Sequence, residues 1–133
     1  MATIDFTPWA VPDLVITLGG RDYRIPPPSL AQERYLLAIV VGAEVRLRLV
    51  DGPLPEDLAA LHDKLSSQQL AVLVLGDKLH GQMVADGHPT AAIDRVAYYA
   101  AFHWVRGKAK ADVIAQALWG TPTNHHESNE AAA

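Results

Sequence analysis

Met83-Val84-Ala85-Asp86-Gly87-His88-Pro89 reads as a turn between two helices, and it sits inside the stretch Ser66–Trp119 around which the chain is organised. Asp86-Gly87 has the form of a helix end with glycine in the left-handed position just past it, where a β-carbon would clash. Pro89 suits the first turn of the next helix, because its missing N–H would be unbonded there anyway. Before the turn Val72, Leu75, Leu79 and Met83 recur at helical spacing; after it Ile93, Val96, Ala97, Ala100 and Trp104 do the same. The second helix carries another apolar stripe, Tyr98, Phe102 and Val105, nearly opposite the first. A helix apolar almost all round is buried on more than one side. It is either the centre of a bundle, which is the preferred reading, or a surface that meets another chain.

Upstream, Leu14–Ile25 carries the best hairpin signal. Gly19-Gly20 supplies two residues that tolerate positive φ, as a tight hairpin turn requires. With those two as the loop, Leu14 faces Ile25 and Ile16 faces Tyr23 on one side, while Val15–Arg24 and Thr17–Asp22 occupy the other. A lone two-stranded hairpin is marginal in water, so it must dock on a helix or pair its edge. The arm before it, Met1–Pro12, has no period; Phe6 and Trp9 are the residues that would pin it.

Pro26-Pro27-Pro28 is read as a stiff spacer rather than a recognition motif, since no basic flank accompanies it. Ser29 and Gln32 have capping-box spacing and open a helix, as do Ser66 and Gln69. From Leu30, the residues Leu36, Val40, Ala43, Leu47 and Val50 share a helical stripe. Val45–Leu49 also alternates like a strand; the helical template explains more positions and is preferred, with Gly42 as a candidate break. Asp51-Gly52-Pro53-Leu54-Pro55 is a boundary. Glu56 and Asp57 then suit a helix start, followed by Leu58, Leu61 and Leu65. A last helix runs from Lys108 to Trp119 with Val113, Ile114, Ala117 and Leu118 inward, ended by Gly120-Thr121-Pro122. The expectation is a mainly α fold: a small bundle of about four to five helices with an N-terminal β-hairpin (14–25). One domain covers 1–120, and a polar tail follows at 121–133, expected to lack fixed structure.

The chain has 133 residues, no cysteine and a formal net charge of −4. Disulfides and thiolate metal sites are thereby excluded. The basic residues are scattered, which argues against nucleic acid as partner. No apolar run is long enough to cross a bilayer and no leader-like N-terminus is visible, so a membrane is not expected.

Six histidines invite a metal hypothesis. His125-His126 lies in the tail, and His80, His88 and His103 surround the helical turn with Asp77, Asp86 and Asp94. No HxxxH or HExxH spacing is present, so structural or surface roles are preferred and no metal or other cofactor is expected. No nucleophile elbow or phosphate-cradling glycine pattern occurs either, and catalytic residues are not assigned.

Two blocks carry a resemblance. Leu18-Gly19-Gly20-Arg21-Asp22-Tyr23-Arg24-Ile25-Pro26-Pro27-Pro28 resembles the opening hairpin of tail assembly chaperones from siphophages of actinobacteria. Leu75-Gly76, Met83–Gly87, Pro89, the aromatic helix with Trp104, then Gly107 and Trp119 are similar to that family in order and spacing. Ala43–Leu65 and the tail have no match, and His88 departs from the smaller or apolar residue expected there. The resemblance implies a non-enzymatic protein of the host cytoplasm, made during tail morphogenesis and absent from the finished virion. It implies association with the tape measure protein, help for tail-tube subunits polymerising around it, a longer frameshifted form of the same chain, and self-association as a homo-oligomer. The surfaces expected to serve are the second stripe, Tyr98, Phe102 and Val105, and the hairpin with Tyr23 and Ile25. The alternatives are a structural virion component such as a tail-completion or connector protein, and a small ligand-binding domain.

Overall fold

A computed structural model describes residues 2–65 and 67–120, apart from the side chains of 67 and 68. The fold is mainly α. Among these residues an N-terminal hairpin, β1 (Leu14–Leu18) and β2 (Arg21–Ile25), is followed by six α-helices: α1 (Leu30–Arg46), α2 (Glu56–Asp63), α3 (Ser67–Leu75), α4 (Asp77–Ala85), α5 (Thr90–Arg106) and α6 (Lys108–Trp119). None is long and apolar enough to cross a membrane. The second capping box begins at Ser66, outside the described residues, as do the proline stop at 122, the tail and His125-His126.

The hairpin register is the one its turn demands. Gly19 and Gly20 both have positive φ, and Leu14 pairs with Ile25, Ile16 with Tyr23 and Thr17 with Asp22. One face of β2 is fully covered, with Tyr23 and Ile25 at 2 % and 0 % exposure. The hairpin is therefore docked on the bundle. The arm before it is not pinned: Phe6 and Trp9 meet edge to face across a short 3₁₀ turn, Thr7–Trp9, and both are exposed.

α5 is the axis of the bundle, packed against α1, α3, α4 and α6. Its first stripe, Ile93, Val96, Ala97 and Ala100, is buried, and so is Phe102 from the second. The central-helix reading thus holds. The helix expected from Ser66 through Met83 is instead two, which raises the count to six. Gly76 takes φ +87° at the junction, closes α3 through its N–H to the Val72 carbonyl, and accepts from the His80 N–H to open α4. That left-handed conformation is cheap only for glycine.

α1 opens with the expected capping box, Gln32 N–H donating to Ser29 Oγ and the Ser29 N–H donating to the Gln32 amide oxygen. It runs unbroken through Gly42, which is buried because α2 crosses close by; a β-carbon there would lie 2.8 Å from the His62 ring. The segment 44–50 is helix to Arg46 and then a turn, not a strand. Leu47 and Val50 fall beyond the helix and are exposed. The stop is a left-handed cap built on Arg48 (φ +60°), with Leu49 N–H donating to the Glu44 carbonyl.

Candidate functional site

The two blocks of sequence singled out above touch. Arg21 donates twice to the Asp86 carboxylate, at 3.1 and 3.0 Å, and the Tyr23 hydroxyl donates to the same group. Tyr23 Oη also lies 3.0 Å from His88 Nε2, with the two rings edge to face. His88 further covers Gly19, where a β-carbon would come within 2.9 Å of the ring. The hairpin loop is thus clasped onto the turn between α4 and α5. That turn presents these groups because α4 ends in a Schellman motif: Gly87 N–H donates to the Val84 carbonyl and His88 N–H to that of Met83. Burial, then the Asp86 carboxylate, raises the Tyr23 pKa, which keeps the phenol a donor. Asp86→Ala is expected to free the hairpin from the turn. Amide exchange in β1 and β2 should quicken roughly tenfold while that in α5 is unchanged, as measured by hydrogen exchange.

Docking at the loop leaves β1 only half covered. Between it and the helices lies an open cleft of about 510 Å³, walled by Ile16 and Leu18 from β1, Val96 and Tyr99 from α5, and Ala115 and Trp119 from α6. Arg95 lies at its rim with its guanidinium 5.5 Å from the centre of the Trp119 ring, a cation–π distance. The lining is apolar with one polar corner, where the Tyr99 hydroxyl donates to Asp112 and Lys108 pairs with the same carboxylate.

That corner goes with the rotation of α6. Turning Asp112 toward Tyr99 brings Ala111, Ile114 and Ala115 inward, and Val113, Ala117 and Leu118 are exposed rather than inward as their spacing suggested; of the expected four only Ile114 is buried. Lys108, followed by the Tyr99 bond, lowers the Asp112 pKa. Burial, followed by Asp112, pushes Tyr99 up to about 12. A raised phenol pKa gives stability that is whole below the unfolded value near 10 and lost as pH rises toward 12. Urea denaturation should show that loss, and Tyr99→Phe should make it shallower.

The residues expected to meet a partner are placed differently. Tyr23, Ile25 and Phe102 are core side chains, almost wholly shielded from solvent; Tyr23 still borders a cleft of about 530 Å³ with Leu75 and Gln82, and Phe102 borders the one that Tyr98 lines. Tyr98 is half-buried and lines a smaller cleft of about 260 Å³ beside Arg46, Leu118 and Trp119. Val105, also half-buried, lines another of about 240 Å³ with Leu36, Leu37 and Trp104. None of the five lines the largely apolar cleft between β1 and α6. The readable signal for that cleft was the hairpin itself, whose β1 offers Leu14, Ile16 and Leu18 on the face where β2 offers only Tyr23 and Ile25.

The histidines are distributed around the fold. His88 belongs to the clasp, and His80 acts on Asp94, whose pKa burial raises and His80 opposes. His103 packs edge to face on Trp104, and burial lowers its pKa. Among the described residues no three His, Asp or Glu side chains are grouped to hold a metal ion.

A family model described as a domain of unknown function, DUF7426, matches residues 5–133. The chain belongs to the DUF7426 family. No curated protein and no solved structure matches it. The match to DUF7426 takes in the arm from Asp5 onward, the clasp and the cleft, so the hairpin and the helices form one family unit.

Proposed function

We propose that this DUF7426 chain is a phage tail assembly chaperone, a non-enzymatic protein of the infected host's cytoplasm. It binds the tape measure protein, aids tail-tube polymerisation around it, and is left out of the mature virion. The observation that carries the reading is the apolar cleft between β1 and α6. A segment of an amphipathic helix laid there would bury its own apolar stripe, the usual way such a helix is held in a groove. A chaperone must also let go, and an open cleft of this size suits a modest affinity, since binding has ordering costs to overcome first. The resemblance of the two blocks to tail assembly chaperones supports the same reading, because both reach this part of the molecule: Leu18 of the cleft and Tyr23 of the clasp come from the first, Trp119 of the cleft and Asp86 of the clasp from the second.

The test is co-expression with the tape measure protein of the same phage. Wild-type chain should raise the soluble yield of that protein and copurify with it. Ala115→Trp, which fills the cleft without removing a core side chain, should lose both effects while keeping its helicity. Detection of the chain by mass spectrometry in purified particles would instead mark it as a virion component and overturn the proposal.

A further inference from the structure

We infer that in the free protein the β1–α6 cleft is filled by the N-terminal arm of a second copy of this chain; the inference rests on the cleft being a docking site. Ile4, Phe6, Trp9 and Val11 are 68, 61, 64 and 64 % exposed, four large apolar side chains within eight residues. A patch of that kind marks a surface meant to be covered. The cleft is a matching vacancy of apolar side chains on the same molecule.

Charge matches as well. Residues 2–13 carry Asp5 and Asp13 and no basic residue. At the cleft rim Arg95 is exposed, with its guanidinium over the Trp119 ring; among the described residues no ion pair engages it. An acidic apolar arm against an apolar cleft with an unclaimed arginine is a complementary pair.

The arm of the same copy is poorly placed to do this. β1 runs from Leu14 toward the loop at Gly19, and the cleft is lined by the later residues of the strand, Ile16 to Leu18. An arm entering its own cleft would have to reverse direction at Pro12-Asp13, where proline favours an extended conformation at Val11. A neighbouring copy has no such constraint. A reciprocal exchange covers two arms and two clefts at once, so both copies' aromatic side chains, which bury about 150–250 Å² each when fully covered, contribute to the same interface. The exchange stores the cleft in a covered state until a longer apolar segment displaces the arm.

Light scattering across the micromolar range, on the full chain, tests this. Wild type is expected at twice the chain mass. Phe6→Ser/Trp9→Ser and Ala115→Trp should each associate at least ~30-fold more weakly, with unchanged circular dichroism. Mixed in equal amounts the two variants should pair again, because one supplies an intact cleft and the other an intact arm. Arg95→Glu serves as a second cleft variant should Ala115→Trp lose helicity, and should weaken association roughly tenfold. A wild type that stays monomeric, an arm variant that still dimerises, or a mixture that does not pair would each overturn the inference. So would a monomer whose arm resists proteolysis only while its own cleft is intact. These measurements use the isolated chain, so their failure is separable from failure to capture the tape measure protein.

Discussion

Phe102→Asp is expected to unfold the protein rather than to detach it from a partner. Phe102 is 2 % exposed, on the central helix and within the core that α1 and α5 share. Truncating such a phenylalanine costs about 3–5 kcal/mol through lost transfer and a residual cavity. The carboxylate adds the cost of an unpaired charge in an apolar setting. Against a total stability of about 5–15 kcal/mol for a domain of this kind, little or none would remain. Circular dichroism at neutral pH should show lost helicity and no cooperative melt. Phe102→Leu, which keeps most of the volume, should cost only about 1.5 kcal/mol and retain the transition. A Phe102→Asp protein with a near-native urea midpoint would mean that α5 is not the axis described here.

The second large effect is expected at Glu44, the one buried charged residue of the described core. Its two carboxylate oxygens accept from Arg106, at 3.2 Å from Nε and 2.8 Å from the terminal nitrogen, so α1 and α5 are tied near their C-terminal ends. Removing one member of a buried pair strands the other and typically costs about 3–5 kcal/mol. Arg106 is 38 % exposed, so water can partly replace it and the loss is discounted. We expect Arg106→Met to cost about 2–3 kcal/mol. Glu44→Met/Arg106→Met, with no charge left stranded, should recover most of that. A urea double-mutant cycle reads the coupling directly, and a cost below about 0.5 kcal/mol for Arg106→Met would show the pair to be incidental.

Much of this architecture was legible because it is local. Gly19-Gly20 fixes a two-residue loop, and the loop fixes every pair of the hairpin. Ser29 and Gln32 announce the start of α1, and Gly107 and Gly120 bracket α6 as its sequence suggested. Where no such residue stands, the reading failed. α1 ends on a left-handed Arg48, a conformation sequence seldom advertises without glycine, so Leu47 and Val50 were assigned to a helix that had already stopped. Gly76 gave the opposite error: it lies inside the stripe from Val72 to Met83 that reads as one helix, and it splits two.

The site was less legible than the fold. Spacing names the stripes of a helix but not which stripe a neighbour covers. Phe102 looked as available as Tyr98 until α1 was laid over it, and Tyr23 and Ile25 looked like an edge until the hairpin was docked. The rotation of α6 goes with long-range partners, the burial of Ala111 and Ile114 and the hydrogen bond between Tyr99 and Asp112, thirteen residues apart; with it Trp119 faces the cleft while Val113 faces outward.

By itself the sequence determined the mainly helical class, the order of hairpin and helices and the hairpin register, because caps, turns and periodicity act over a few neighbouring residues. Only the tertiary structure decided which apolar faces close on each other and which stay open. That choice depends on side chains sixty residues apart meeting, as Arg21 and Tyr23 meet Asp86. The open cleft beside β1 is what that choice leaves uncovered.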